Sequence, residues 1–198
     1  MKQKIILASN SSTRKKLLSD ANVNFKTITS NVDEELLKTK LKAKNTSIHK
    51  ISEILAENKA RKVSLSNKDS IVIGCDQTLI FKNKILSKQK TKKEVFERLY
   101  LLNGKKHTLL TSAVIYSKFK IVWKLTTKAT LKMHSNDTDY IKDYVERHYN
   151  QIVNSPGCYM IEGEGVRLFK HIDGNYFSIL GIPLIEILSY LYLNGELN

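Results

Sequence analysis

The chain has 198 residues, 41% of them hydrophobic and spread along its length, with only two prolines and eight glycines. That length suits one domain with a sizeable core, whether in one lobe or in two lobes about a cleft, and the composition leaves no Pro/Gly-rich linker. The net charge of +14 comes from 33 basic and 19 acidic residues, yet only five of the basic residues are arginine and the lysines are scattered. Nucleic-acid binders gather such charge on one stripe with stacking aromatics, so a nucleic-acid partner is not expected.

No run approaches the roughly 18 apolar residues of a membrane span. The opening MKQKIILAS has too short an apolar run for a signal peptide. Cys75 and Cys158 lie far apart, each beside a glycine, without a CxxC. Free, buried thiols in a reducing, cytoplasmic setting are the expectation.

In chain order, the patterning predicts a strand at 4–8 and a helix over 11–21, with Leu17, Leu18 and Ala21 on its apolar face. A strand follows at 24–30, then a long helix over 46–66, where Ile48, Ile51, Leu55 and Ala56 recur at helical spacing. The continuous run SIVIGC at 70–75 reads as a buried strand. A hairpin of 78–81 with 84–86 comes next, then a helix over 91–102 closed by Asn103-Gly104. Two long antiparallel strands (107–116 and 120–134) precede a helix over 137–150. The stretch 157–182 reads as short strands with glycine turns, and a closing helix over 183–193 has Pro183 in its first turn. The alternation points to an α/β fold, a mixed β-sheet flanked by helices.

Two stretches could carry chemistry. In LASNSSTRKKLL, a strand-to-helix turn holds Ser9, Asn10, Ser11 and Ser12, and Arg14 sits in the first helical turn where acidic residues usually stand. Free N–H groups and the helix dipole make such a turn an anion site, and a basic cluster there suggests that negative charge arrives from outside. In IVIGCDQTLI, Asp76 directly follows the buried strand, past a glycine that permits close approach. Ligands in α/β sheets collect at the carboxyl ends of strands. Lys59, Lys88 and Glu162 are unremarkable singly, the lysines reading as solvated and Glu162 as a loop carboxylate. There is no GxxxxGK[ST], HExxH or GxSxG, and the five histidines show no metal-ligand spacing.

Taken together and in order, these pieces resemble the Maf family of nucleoside triphosphate pyrophosphatases. The resemblance runs through LASNSSTRKKLL, VDE (Val32–Glu34), LAENKA, IGCDQT, ILSK, LNGKKHTLLTSAV, GCYMIEGEG and DGNYFSILGIPL. Gln89 and Ser12 stand where the family usually has proline. The resemblance implies an elongated α/β fold with a central cleft, often homodimeric. It further implies hydrolysis of a nucleoside triphosphate between the α- and β-phosphates, with Mg²⁺ or Mn²⁺. On that footing Asp76 is the proton acceptor; Ser9, Arg14, Lys59 and Lys88 bind phosphate; and Glu34 with Asp76 holds the metal. Thr13, Gln77 and Glu162 match positions tied to base choice, and two of them favour 7-methyl-GTP over dTTP or UTP. The rival readings are a basic nucleic-acid-binding module, marked by steep salt dependence, and a non-catalytic regulator of cell division, against which Arg14, Lys59, Asp76 and Lys88 argue.

Overall fold

The computed structural model describes residues 3–197. Strand β1 (Lys4–Leu7) lies parallel to β2 (Phe25–Thr27) and to β3 (Ser70–Phe81), with Leu7 opposite both Thr27 and Ile73. Parallel neighbours need crossovers. Helix α1 (Ser12–Asp20) supplies the first; α2 (Glu34–Ala43), a 3₁₀ turn at Ile48–Lys50 and α3 (Ile51–Ser64) supply the second. Ser11 caps α1 by accepting from the Arg14 amide, and Asp33 caps α2 by accepting from that of Leu36.

Strand β3 then pairs antiparallel with β4 (Lys84–Leu86), turning through Lys82 and Asn83, both at positive φ as a two-residue hairpin demands. Helix α4 (Lys92–Leu102), strands β5 (Lys106–Ser117) and β6 (Lys120–Met133), and helix α5 (Thr138–Ile152) follow. A 3₁₀ stretch (Gly163–Leu168), β7 (Phe169–Asp173), α6 (Tyr176–Ile179) and α7 (Leu184–Leu193) complete the chain. The seven strands form one mixed sheet in the order β2-β1-β3-β5-β6-β7, with β4 on β3.

The chain divides into two compact units. The first holds described residues 3–77, 110–127 and 175–197. Its strands alternate faces, as the pleat requires. Ile5, Leu7, Ile71, Ile73, Cys75, Ala113 and Ile115 pack with α1 and α7. On the opposite face Ile6, Val72, Val114 and Tyr116 pack with Ala56, Ala60 and Val63 of α3. The second unit, 78–109 and 128–174, buries Val95, Leu99 and Leu102 of α4 and Ile141, Tyr144, Val145 and Ile152 of α5. Helix α4 opens with a reciprocal capping box of Thr91 and Glu94.

Several expectations need correction. Residues 34–43 form a helix where none was expected. The long helix over 46–66 is a 3₁₀ turn followed by α3. Strand β3 does not stop at Cys75 but continues to Phe81. Only one strand, β7, occurs in 157–182; the rest is turns, a 3₁₀ stretch and short α structure, and Pro183 is the N-cap residue of α7. Both cysteines are free and buried, and burial pushes their thiols up to about 11 (Cys75) and about 12 (Cys158), away from reactivity. Among the described residues no helix is long and apolar enough to cross a membrane.

Candidate active site

Because β3 outruns its parallel neighbour, Asp76 lies three residues past Ile73, the partner of the last β1 residue. The carboxyl end of β1 is thus where Asp76 emerges, on the face covered by α3. Gly74 makes that cover tight: a Cβ there would stand 2.2 Å from the Ala56 carbonyl and 2.7 Å from the Ala60 amide. Only glycine admits a helix backbone at that distance.

The close approach delivers Lys59 of α3 to Asp76. Its Nζ lies 2.7 Å from Asp76 Oδ1 and 2.8 Å from Glu34 Oε1 at the start of α2. Lys59 and Asp76 are 7% and 4% exposed, so this is a buried ion pair to which the half-exposed Glu34 is joined. Taken alone Lys59 reads as a solvated lysine; the structure overturns that reading, because Gly74 draws its helix onto the sheet. Asp76 Oδ2 is buried with no hydrogen-bond partner among the described residues. Burial raises the Asp76 carboxyl above its usual range; Lys59 and Arg14 pull it back, while Glu34 pushes it further up.

Arg14, one turn into α1, is held by neutral oxygens alone. Its Nε donates to Gly181 O (2.7 Å), and its Nη1 donates to Cys75 O (2.9 Å) and to Ser9 Oγ (3.1 Å). No carboxylate among the described residues pairs with it. Ser9 Oγ also accepts from the Ser11 amide, which knits the turn before α1. Gly181 sits at φ +100°, and a Cβ there would press on the guanidinium at 3.4 Å. On the other face of β3, Gln77 Nε2 donates to Thr111 Oγ1 (2.9 Å) and to the carbonyls of Ser178 and Ile179 (3.0 Å each).

The family described as Maf-like protein matches residues 4–193. This chain belongs to the Maf family. It is 44% identical over 195 residues to the nucleoside triphosphate pyrophosphatase of Ruegeria sp. (strain TM1040), covering 98% of each chain. It is 37% identical over 191 residues to the enzyme of that name from Pelagibacter ubique (strain HTCC1062), covering 96% of this chain and 98% of the relative. The 7-methyl-GTP pyrophosphatase of Brucella abortus biovar 1 (strain 9-941) is 35% identical over 191 residues, with 96% of each covered.

Of the residues matched to the Maf motifs, the first unit brings together Ser9, Arg14, Glu34, Lys59 and Asp76, with Gln77 next along the strand and Thr13 half-buried in α1. Lys88 and Glu162 belong to the second unit. Lys88 is exposed in the loop after β4. Glu162 is half-buried before the 3₁₀ stretch, and its carboxylate has no hydrogen-bond or ion-pair partner among the described residues. Glu164, by contrast, is engaged by Arg147 and His148. Thr111, Gly181 and the Cys75 carbonyl were missed, because backbone acceptors and a strand threonine leave no mark in sequence.

Among the described residues no group of three or more His, Cys, Asp or Glu gathers to hold a metal. Glu34 and Asp76 nevertheless fit a hard divalent cation of the Mg²⁺ kind, which takes one or two carboxylates and fills its shell with water and phosphate oxygens. The partnerless Asp76 Oδ2 is the oxygen suited to it.

Proposed function

We propose that this protein hydrolyses nucleoside triphosphates between the α- and β-phosphates, with 7-methyl-GTP as the preferred substrate. Water attacks the α-phosphorus, the bond to the bridging oxygen breaks, and a nucleoside monophosphate and pyrophosphate leave. The observation that carries this reading is the buried Lys59–Asp76 ion pair, joined by Glu34, beside an arginine that has no acidic partner among the described residues. Burying two charged side chains is costly unless something is gained; here the gain is a preorganised field for a polyanion.

Counting donors supports it. A lysine has three N–H groups, and Lys59 uses two on Glu34 and Asp76. An arginine has five; Nε and Nη1 of Arg14 are engaged, and Nη2 remains. The free groups, with the amides that open α1, are the charge-assisted donors for phosphate oxygens. Lys88 would add a further cation. Asp76 accepts the proton of the attacking water, and its raised carboxyl makes it a stronger base than an ordinary aspartate. A divalent cation held by Glu34 and Asp76 would supply charge neutralisation at the phosphates.

Base choice rests on acceptors. The amide nitrogen of Gln77 is fully engaged, which leaves its Oε1 to receive a hydrogen bond, and the Glu162 carboxylate only accepts. The pairing edge of guanine carries two neighbouring donors, that of uracil or thymine one. The 7-methyl group adds a positive charge that a carboxylate attracts. Thr13 does not stack on the base as an aromatic would. The test is kcat/KM for 7-methyl-GTP, dTTP and UTP in wild type and Glu162→Gln. A charge-assisted hydrogen bond is worth about 1.5–3 kcal/mol, so the preference should shrink about ten- to hundredfold. An unaltered preference would remove Glu162 from base recognition.

A further inference from the structure

Thr111, in β5, is buried on the same face as Gln77; it lies in the stretch LNGKKHTLLTSAV, none of whose residues has been given a role in the site. Its Oγ1 stands 2.7 Å from the Ser178 carbonyl and 2.9 Å from Gln77 Nε2. A carbonyl only accepts, so the one hydroxyl hydrogen goes to Ser178 and a lone pair faces Gln77. The carbonyls of Ser178 and Ile179 complete a ring of three acceptors around Nε2. A flipped amide would set Oε1 against two carbonyl oxygens, so this surrounding admits one orientation of Gln77.

We infer that Thr111 is a positioning residue for base recognition. With the end of α6 it fixes Gln77 as an acceptor, so the site takes bases that bring an N–H donor to that point. This rests on the reading of Gln77 as a residue that faces the base. The same turn also holds Arg14 through the Gly181 carbonyl, three residues after Ser178. One short segment, Ser178–Gly181, therefore orients a side chain for the base and another for the phosphates.

Replacing threonine by the nearly isosteric valine removes one acceptor from Nε2 and the donor to Ser178 while keeping the packing. For Thr111→Val we expect kcat/KM for 7-methyl-GTP to fall about fivefold, the scale of one hydrogen bond, through KM with kcat unchanged. Ribose 5-triphosphate, which lacks a base, should inhibit wild type and variant with the same Ki. Thr111→Ser, which keeps the hydroxyl, should restore KM. In the free wild-type protein the Gln77 side-chain amide hydrogens, followed by ¹⁵N NMR, should exchange with water at least tenfold more slowly than those of exposed Gln151. Equal exchange at Gln77 and Gln151 overturns the inference, as does an unaltered KM in Thr111→Val, or a loss that Thr111→Ser repeats. A wild type inert toward every nucleoside triphosphate sinks the pyrophosphatase reading instead, a result separable from these because the exchange experiment needs no turnover.

Discussion

The two units bury polar groups in opposite ways. In the first, Lys59 and Asp76 are almost inaccessible and form an ion pair at 2.7 Å, joined by Glu34. In the second, the buried polar pair is neutral: His107 Nε2 meets the Tyr159 hydroxyl at 2.7 Å, walled by Phe169. Burial holds the His107 ring down to about 4 and pushes the Tyr159 hydroxyl up, so both stay uncharged at neutral pH. A fold that needs only polar packing discharges its buried groups. Among the described residues only the first unit buries an ion pair, and the proposed function gives that pair a ligand to face.

The largest effect on this contrast should come from Lys59→Ala. Removing the shared cation strands two carboxylates, one of them buried, and should lower stability by about 3 kcal/mol, read by urea denaturation. A variant as stable as wild type would mean that the trio is solvated. Next is the acid limb of stability. His107 is held neutral in the fold but takes a proton in the unfolded chain near pH 6.5, so the unfolded state binds more protons between those values. Stability should therefore fall as pH drops from 6.5 towards 4, by roughly 2–3 kcal/mol from this residue. His107→Gln should flatten that limb; an unchanged slope would show that His107 is already protonated in the fold.

Asp76→Asn keeps the shape of the side chain and removes the base. It should fold and lose at least about a hundredfold in kcat. Full turnover in a folded variant would exclude Asp76 from the chemistry. The smallest structural effect belongs to Lys88→Ala. Exposed and without an ion-pair partner among the described residues, it should change stability by less than about 0.5 kcal/mol while raising KM for the triphosphate. A stability loss like that of Lys59→Ala would erase the distinction between the two lysines.

What could be read in sequence follows from what each element buries. Strands β1, β5 and β6 and helices α1, α4, α5 and α7 were legible because their apolar residues repeat at the period of the element. Helix α2 has no fully buried residue, so it carries no apolar stripe; only its ends speak, with Asp33 as cap, Glu34 and Glu35 in the first turn and Lys40 and Lys42 in the last. The stretch 157–182 misleads because a glycine that ends a strand and one that opens a 3₁₀ turn look alike. At the site, the charged residues could be named from motif order. The burial of Lys59 could not, since it depends on Gly74 admitting α3 at backbone contact, a tertiary fact. The break read into β3 at Asp76 had the same origin: a charge inside a strand looks like its end until its partner is seen.

The central claim is the position of cleavage, and ³¹P NMR of 7-methyl-GTP hydrolysis in ¹⁸O-labelled water with Mg²⁺ tests it most directly. The expected products are 7-methyl-GMP and pyrophosphate alone, with the label on the monophosphate because water attacks the α-phosphorus. Release of orthophosphate with a nucleoside diphosphate, or label in the pyrophosphate, would contradict it.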